Sequence, residues 1–365
     1  GLPLMGTGDW NDGMNRVGAE GRGESVWLGW FLCQLVEDFA PIAIARGEPA
    51  RAAAWREAAL GWRNALLGTA WDGQWFKRAF FDDGTPLGSH VNAECRVDLI
   101  AQAWSVMSDV APPAMRRMAL AAIEDELVDP DMGLLRLLTP PLQDALPSAG
   151  YIQAYPKGVR ENGGQYSHAG VWALIAQAMS GDGDAAYRYF TYLNPAHRAA
   201  HPVRGPAYEI EPYVMAGDVY SEAPHAGRGG WSWYTGSAAW LHRAAIEHIF
   251  GMRLRADEIA FVPCLPSHWD HAELTLTRAD RVLRVLLCRP EATAALELAQ
   301  RIGASEQQIG VAWRHDAHDA PACVLLRLPE AAVVDATRSR PTAPGVAVRW
   351  AADEAVHKVH SSTTP

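Results

Sequence analysis

The sequence predicts a mainly α protein that ends in a smaller β domain. Up to about residue 251, apolar residues recur at helical spacing, in segments that are alternately apolar all round and amphipathic. From about residue 252 the pattern changes to short alternating runs separated by Gly, Pro, Asp and His. Fifteen tryptophans are spread unevenly, twelve before residue 241 and three after, as a deep helical core or a sugar-binding cleft would use them. Alternating apolar and amphipathic helices imply two concentric layers, with inner helices buried and outer helices half exposed. The expected domains are 1–251 and 252–365.

Residues 24–39 are apolar nearly all round, as in a helix buried on every side. Residues 50–67 place Trp55, Ala58, Ala59, Trp62 and Leu66 on one stripe and Arg51, Arg56, Glu57 and Arg63 elsewhere, and Gly68 suits the C-terminal cap. Residues 71–81 with their flank, W-D-G-Q-W-F-K-R-A-F-F-D-D-G-T, read as a small hairpin. Residues 97–108 and 113–126 form a helix pair, Pro113 standing near the first position of the second. Residues 168–179 are again apolar all round, and 183–194 follow a G-D-G-D turn. A last helix spans 237–250, with Ser237 as N-cap and Gly251 as its stop. The total is about seven helices. Beyond them, 272–277, 282–287, 294–298, 324–328, 332–334 and 346–350 read as strands of a small antiparallel sandwich.

Composition narrows the function. Against 32 Lys and Arg stand 42 Asp and Glu, a net charge of −10, which argues against nucleic acid as partner. The five cysteines, Cys33, Cys95, Cys264, Cys288 and Cys323, are odd in number and lack C-x-x-C spacing, which fits buried free thiols in a reducing compartment. The longest apolar runs, 27–36 and 171–176, fall short of the ~18 residues that span a bilayer. The chain starts at Gly1 inside a dense motif, so upstream residues are expected to be missing, a targeting or membrane segment among them. The expected location is cytoplasmic, alone or as a domain of an inner-membrane protein.

Three polar constellations stand out on irregular segments, where function concentrates. In G-T-G-D-W-N-D-G-M-N, Asp9 and Asp12 flank Trp10 and Asn11. An indole stacks on a pyranose face, and a carboxyl in a partly dry site can serve as an acid. The same residues also suit a Gly/Asp-rich turn that caps the next helix. A calcium loop is excluded, since Met14 stands where an EF-hand needs glycine. In Y-P-K-G-V-R-E-N-G-G-Q-Y-S-H, Lys157, Arg160 and His168 could meet an anion at a helix N-terminus, or His168 could be structural. In G-R-G-G-W-S-W-Y-T-G-S-A-A-W, Thr235, Gly236 and Ser237 could cradle phosphate, or Ser237 could simply cap the helix while Trp231, Trp233 and Tyr234 pack. No metal site is expected: His242 and His248 are six apart and do not share a helix face.

These motifs, with G-R-G-E-S-V-W-L-G-W-F-L and E-P-Y-V between them in the same order, resemble family ninety-four of the glycoside hydrolases, the inverting β-glucoside phosphorylases. Within it they look most like the carboxy-terminal region of cyclic β-1,2-glucan synthases. The resemblance runs from residue 1 to about 300. It implies an (α/α)6 barrel, of which this chain would hold the later part, followed by a β-sandwich. It implies Asp12 as general acid and Asp9 and Trp10 as residues that position the sugar, beside which Asn11 and Glu161 are expected as further substrate-binding residues. It also implies His168, Thr235 and Gly236 as phosphate ligands. Inorganic phosphate would be a co-substrate, with no other cofactor and no metal. The partners would be a β-glucan oligosaccharide, phosphate and the amino-terminal part of the same enzyme. Without that part the chain is expected to be inactive and poorly soluble. Related barrels that hydrolyse their glycoside, and silent glucan-binding modules, are the competing readings. One departure matters: where cellobiose-type members carry a phosphate-binding glutamine, this chain has Gly217 and Asp218, and an aspartate there would repel phosphate, so that either it points away or phosphorolysis is weakened and another acceptor is used.

Overall fold

The computed structural model describes residues 1–330 except 256, 279–280 and 316–319. The expected strands at 332–334 and 346–350 therefore lie outside the described residues. The helical part is built from pairs. Helices α1 (Val26–Ala45) and α2 (Pro49–Leu67) pack together, as do α3 (Leu99–Met107) with α4 (Pro113–Ala122) and α5 (Ser167–Met179) with α6 (Gly183–Leu193). In each pair the first helix lies deeper: α3 buries every residue from Leu99 to Val106, and α5 buries nearly its whole length, whereas α2 buries only Ala52 and Leu66. The deep helices neighbour one another, α1 on α3, α3 on α5, and α5 on α9 (Thr235–Arg243). This is the layering that all-round apolar and amphipathic segments imply.

Several boundaries differ from expectation for local reasons. Helix α1 runs to Ala45, so by length and composition alone it could cross a membrane. It carries exposed Glu37 and Asp38, and it sets Trp27, Trp30 and Cys33 into the main core against α2 and α3. Helices α4 and α9 each end in a π-helical turn, Ile123–Leu127 and Ala244–Ile249. Two short helices, α7 (Pro195–Ala200) and α8 (Gly205–Tyr208), went unread because Pro195 and Gly205-Pro206 look like breakers; both prolines sit in first turns, where no N–H is needed. Ser237 is not the N-cap expected: α9 begins at Thr235 after Tyr234, and Ser237 is buried in its first turn.

Among the described residues, the carboxy-terminal part holds two sheets and one helix. Strands β1 (Met252–Arg255), β2 (Glu258–Phe261) and β6 (Trp313–Arg314) form an antiparallel sheet in the order β1-β2-β6. Strands β3 (His271–Arg278), β4 (Arg281–Cys288), β5 (Ser305–Gln307) and β7 (Cys323–Arg327) form a second sheet in the order β3-β4-β7-β5. Only β3 and β4 run antiparallel there; β7 is parallel to both β4 and β5, which corrects the expected all-antiparallel arrangement. The run 294–298 is not a strand but the middle of helix α10 (Thr293–Arg301). Its Ala, Leu, Glu and Gln are good helix formers, and Ala295 and Ala299, four apart, pack with Leu286, Cys288 and Leu325 of the sheet. All five cysteines are free; Cys264 and Cys323 are partly exposed and the others buried.

The helical and β parts meet closely at Gly183, where a Cβ would lie 2.3 Å from the Leu265 carbonyl oxygen. Gly183→Ala should therefore destabilise by about 1–3 kcal/mol through overpacking. Gly61→Ala, in an exposed stretch of α2 with open space around it, should stabilise by about 0.5–1 kcal/mol. Urea unfolding of the two variants beside the parent checks both signs.

Candidate active site

The D-W-N-D segment divides its two aspartates between opposite environments. Asp9 has no exposed side-chain surface and its carboxylate is fully engaged. Arg78 donates through Nη2 to Oδ1 at 2.6 Å and through Nη1 to Oδ2 at 2.7 Å. Ser25 Oγ donates to Oδ2 at 2.6 Å, and the Asn11 amide to Oδ1 at 3.0 Å. Burial would raise the Asp9 pKa, but Arg78 and these hydrogen bonds outweigh it and hold the group below the usual carboxylate range. Through these bonds the Asp9 side chain anchors the loop. Asp12, three residues on, is exposed at the start of a 3-10 turn, Asp12–Met14.

Its neighbours set that turn rigidly. Buried Asn11 caps it, accepting from the Gly13 amide at 3.1 Å, while Gly13 and Met14 face the interior. Gly8, at φ +129, lets the backbone pass so close that a Cβ would lie 2.9 Å from the Asp12 Cα. The turn packs on a second 3-10 turn, Tyr151–Ala154, through the Tyr151 amide bonded to Asn15 Oδ1 at 3.2 Å. Burial and then a hydrogen bond to Asp12 push the Tyr151 phenol up to about 12. The Tyr155 phenol is raised by burial and by the charges of Glu161 and Asp12, against the opposing charge of Arg160. Glu161 is buried, lies 3.4 Å from Arg160 Nε, and leaves Oε2 without a hydrogen-bond partner.

Trp10 joins this loop to α5. Its indole N–H donates to His168 Nδ1 at 3.2 Å, and its ring stands edge-on to Tyr166 with centroids 5.2 Å apart. Because Nδ1 accepts, the neutral imidazole carries its proton on Nε2, which is covered and unpartnered. Burial alone lowers the His168 pKa to about 4, so the ring offers a donor but no charge near neutrality. Tyr166 reaches across to Tyr234 with hydroxyls 2.5 Å apart, which brings in the start of α9. There Thr235 and Gly236 are exposed, and no side chain caps the helix. The structure thus gathers Trp10, Asn11, Asp12, Glu161 and His168 with the α9 terminus.

Lys157 is exposed, and no contact draws it to His168. Arg160 lies over the Tyr155 and Trp231 rings at 5.2 and 5.0 Å. Asp218 is buried and accepts from the Arg160 amide at 2.7 Å and from the Trp231 backbone. Arg78 and Asp98 were missed by sequence reasoning, although a lone arginine in the apolar hairpin run W-F-K-R-A-F-F is itself a signal of a buried ion pair. Among the described residues no group of three or more His, Cys, Asp and Glu could hold a metal.

Comparison with known proteins places these residues in a family context. Residues 1–251 match the glycosyl hydrolase 94 superfamily catalytic domain, and residues 252–302 match the glycosyl hydrolase family 65 C-terminal domain. The chain is 50% identical over 269 residues to the cyclic beta-(1,2)-glucan synthase NdvB of Rhizobium meliloti, covering 74% of this chain and 10% of that protein. It is 32% identical over 276 residues to the solabiose phosphorylase of Paenibacillus borealis, covering 75% of this chain and 35% of that one. The chain therefore spans roughly a tenth to a third of the length of these relatives. A solved structure titled sialidase aligns over 79% of this chain and 26% of its own, with a TM-score of 0.52 at 14% identity, a likeness of fold alone.

The folded pKa of His168 lies below its usual value of 6.5, so the unfolded chain binds the proton more readily. The stability this group contributes is present above about pH 6.5 and lost as pH falls toward 4. His248, also lowered to about 4, adds to the loss with the same sign. Urea midpoints should drop across this window, and the imidazole nitrogen shifts of His168 should keep the neutral pattern at pH 5.5.

Proposed function

Because the chain belongs to the glycosyl hydrolase 94 superfamily, we propose that its site carries out inverting phosphorolysis, or the reverse glucosyl transfer, on a β-linked glucan. The linkage we assign is β-1,2, in line with the similarity to a cyclic beta-(1,2)-glucan synthase. The row of deep helices is read as part of an (α/α)6 barrel, and the two carboxy-terminal sheets as a sandwich. The observation that carries the reading is the split between the two loop carboxylates: Asp9 is sealed and Asp12 is presented beside Trp10, Glu161 and Tyr151.

In this reading Asp12 gives its proton to the departing glycosidic oxygen. A phosphate oxygen attacks the anomeric carbon from the opposite face, the C–O bond to the leaving sugar breaks, and α-glucose 1-phosphate results. Phosphate is already an anionic nucleophile, so the site must place it rather than activate it. The uncapped N–H groups at Thr235 and Gly236 and the unpaired Nε2–H of His168 are the donors assigned to it. Glu161, whose buried Oε2 is ion-paired to Arg160 but makes no hydrogen bond, is assigned to a sugar hydroxyl. The assay is glucose 1-phosphate release from a β-1,2-glucan oligosaccharide by the longest polypeptide that carries this chain. Asp12→Asn should lower kcat about 10²–10⁴-fold with the protein still folded. Full activity in that variant would overturn the reading.

Glu161 also supports a second reading. An inverting hydrolase needs a second carboxylate to activate water, and Glu161 acts electrostatically on the same two tyrosines as Asp12. Omitting phosphate separates the two. Phosphorolysis stops without it, and Glu161→Gln should then mainly raise KM; hydrolysis continues without it and is abolished by the same substitution.

A further inference from the structure

One buried charge cluster lies outside the chemistry just described. Arg78 is wholly buried in the hairpin that follows α2. Its backbone amide donates to the Leu87 carbonyl at 2.7 Å, and its own carbonyl accepts from the Val26 amide at 3.2 Å. Gly88, at φ +79, leaves it room, since a Cβ there would lie 2.5 Å from the Arg78 nitrogen. The guanidinium spends both Nη atoms on Asp9, at 2.6 and 2.7 Å, and sets Nε 3.5 Å from Asp98 Oδ2. Asp98 is in turn the N-cap of α3, accepting from the Ile100 amide at 3.0 Å. Ser25 is the N-cap of α1: its Oγ accepts from the Leu28 amide at 3.0 Å and donates to Asp9. The first turns of two deep helices, the hairpin and the D-W-N-D loop thus meet at one guanidinium.

We infer that Arg78 is the positioning residue of the candidate acid: by clamping Asp9 to the caps of α1 and α3, it fixes where Trp10, Asn11 and Asp12 stand. The inference rests on the reading of Asp12 as a proton donor. The link between clamp and acid is short, three residues of chain braced by hydrogen bonds. The Asn11 amide is bonded to Asp9 Oδ1, and Asn11 caps the turn that starts at Asp12. Only a planar fork can hold both Asp9 oxygens and still face Asp98; a lysine supplies the charge without that geometry.

The test separates positioning from simple structural support by the choice of leaving group. A β-1,2-glucan oligosaccharide needs its departing oxygen protonated, whereas β-glucosyl fluoride departs with little help from an acid. In the longest polypeptide carrying this chain, Arg78→Lys should lower kcat on the oligosaccharide about 100-fold, with KM nearly unchanged. Turnover of the fluoride should stay within a few-fold of the parent. Asp9→Asn should show the same split, and the double variant should be no worse than the poorer single one, because both act through one clamp. Asp98→Asn, which keeps the Arg78–Asp9 fork, is the milder variant should Arg78→Lys not fold, and the same split is expected at smaller size. Equal loss on both substrates, or additive losses in the double variant, would overturn the positioning role and leave the functional reading intact. A parent enzyme with no phosphate-dependent turnover of either substrate would overturn the functional reading, and the inference with it.

Discussion

The arrangement depends on a guanidinium shared between two buried carboxylates. Taking Asp9, Asp98 and Arg78 out of water costs several kcal/mol per ion unless each finds its partner and its hydrogen bonds. The cluster holds two negative groups against one positive, and the imbalance falls on Asp98. Burial pushes its pKa up to about 6 even though Arg78 pulls the other way. The first amides of α3 relieve part of that charge, since helix N-termini favour anions. Deep helices, hairpin and motif loop therefore cannot shift independently: any movement of one leaves a buried charge without its counterpart.

The same constraint explains how two aspartates three residues apart take different roles. Chemistry does not distinguish them; surroundings do. Asp9 is enclosed by Arg78, Ser25 and the Asn11 amide, and so is kept ionised and fixed. Asp12 is held at the surface by its buried neighbours Asn11, Gly13 and Met14. On the proposed reading, a proton donor needs access to substrate and a fixed place, and the loop splits those needs between two side chains.

The helical layers were legible because burial writes itself into periodicity. Helix α5 is apolar nearly all round because it is covered nearly all round. The motif residues were legible as a group, since Trp10, Asp12, Glu161 and His168 do converge. What could not be read was set by contacts distant in sequence. Nothing local distinguishes Ser237 from Thr235 as the start of α9; the Tyr234 amide bonded to the Met215 carbonyl decides it. Helix α10 passed for a strand because a short apolar run of that length is ambiguous until the sheet beneath it is known. The clamp on Asp9 could not be read because Arg78 is sixty-nine positions away.

Asp218 completes the argument about charge. A carboxylate free at the mouth of the site would oppose any anionic co-substrate, and the neutral His168 could not offset it. The fold removes the conflict with backbone. Arg160 adopts φ +53, which aims its amide at Asp218, and Gly230 leaves space for the carboxylate where a Cβ would lie 2.2 Å from Oδ1. Gly217 is fastened at both its amide and its carbonyl, to Trp231 and Ser167. The Gly217-Asp218 pair that reads in sequence as an obstacle to phosphate is, in the fold, an internal brace between the Arg160 loop and the segment leading into α9.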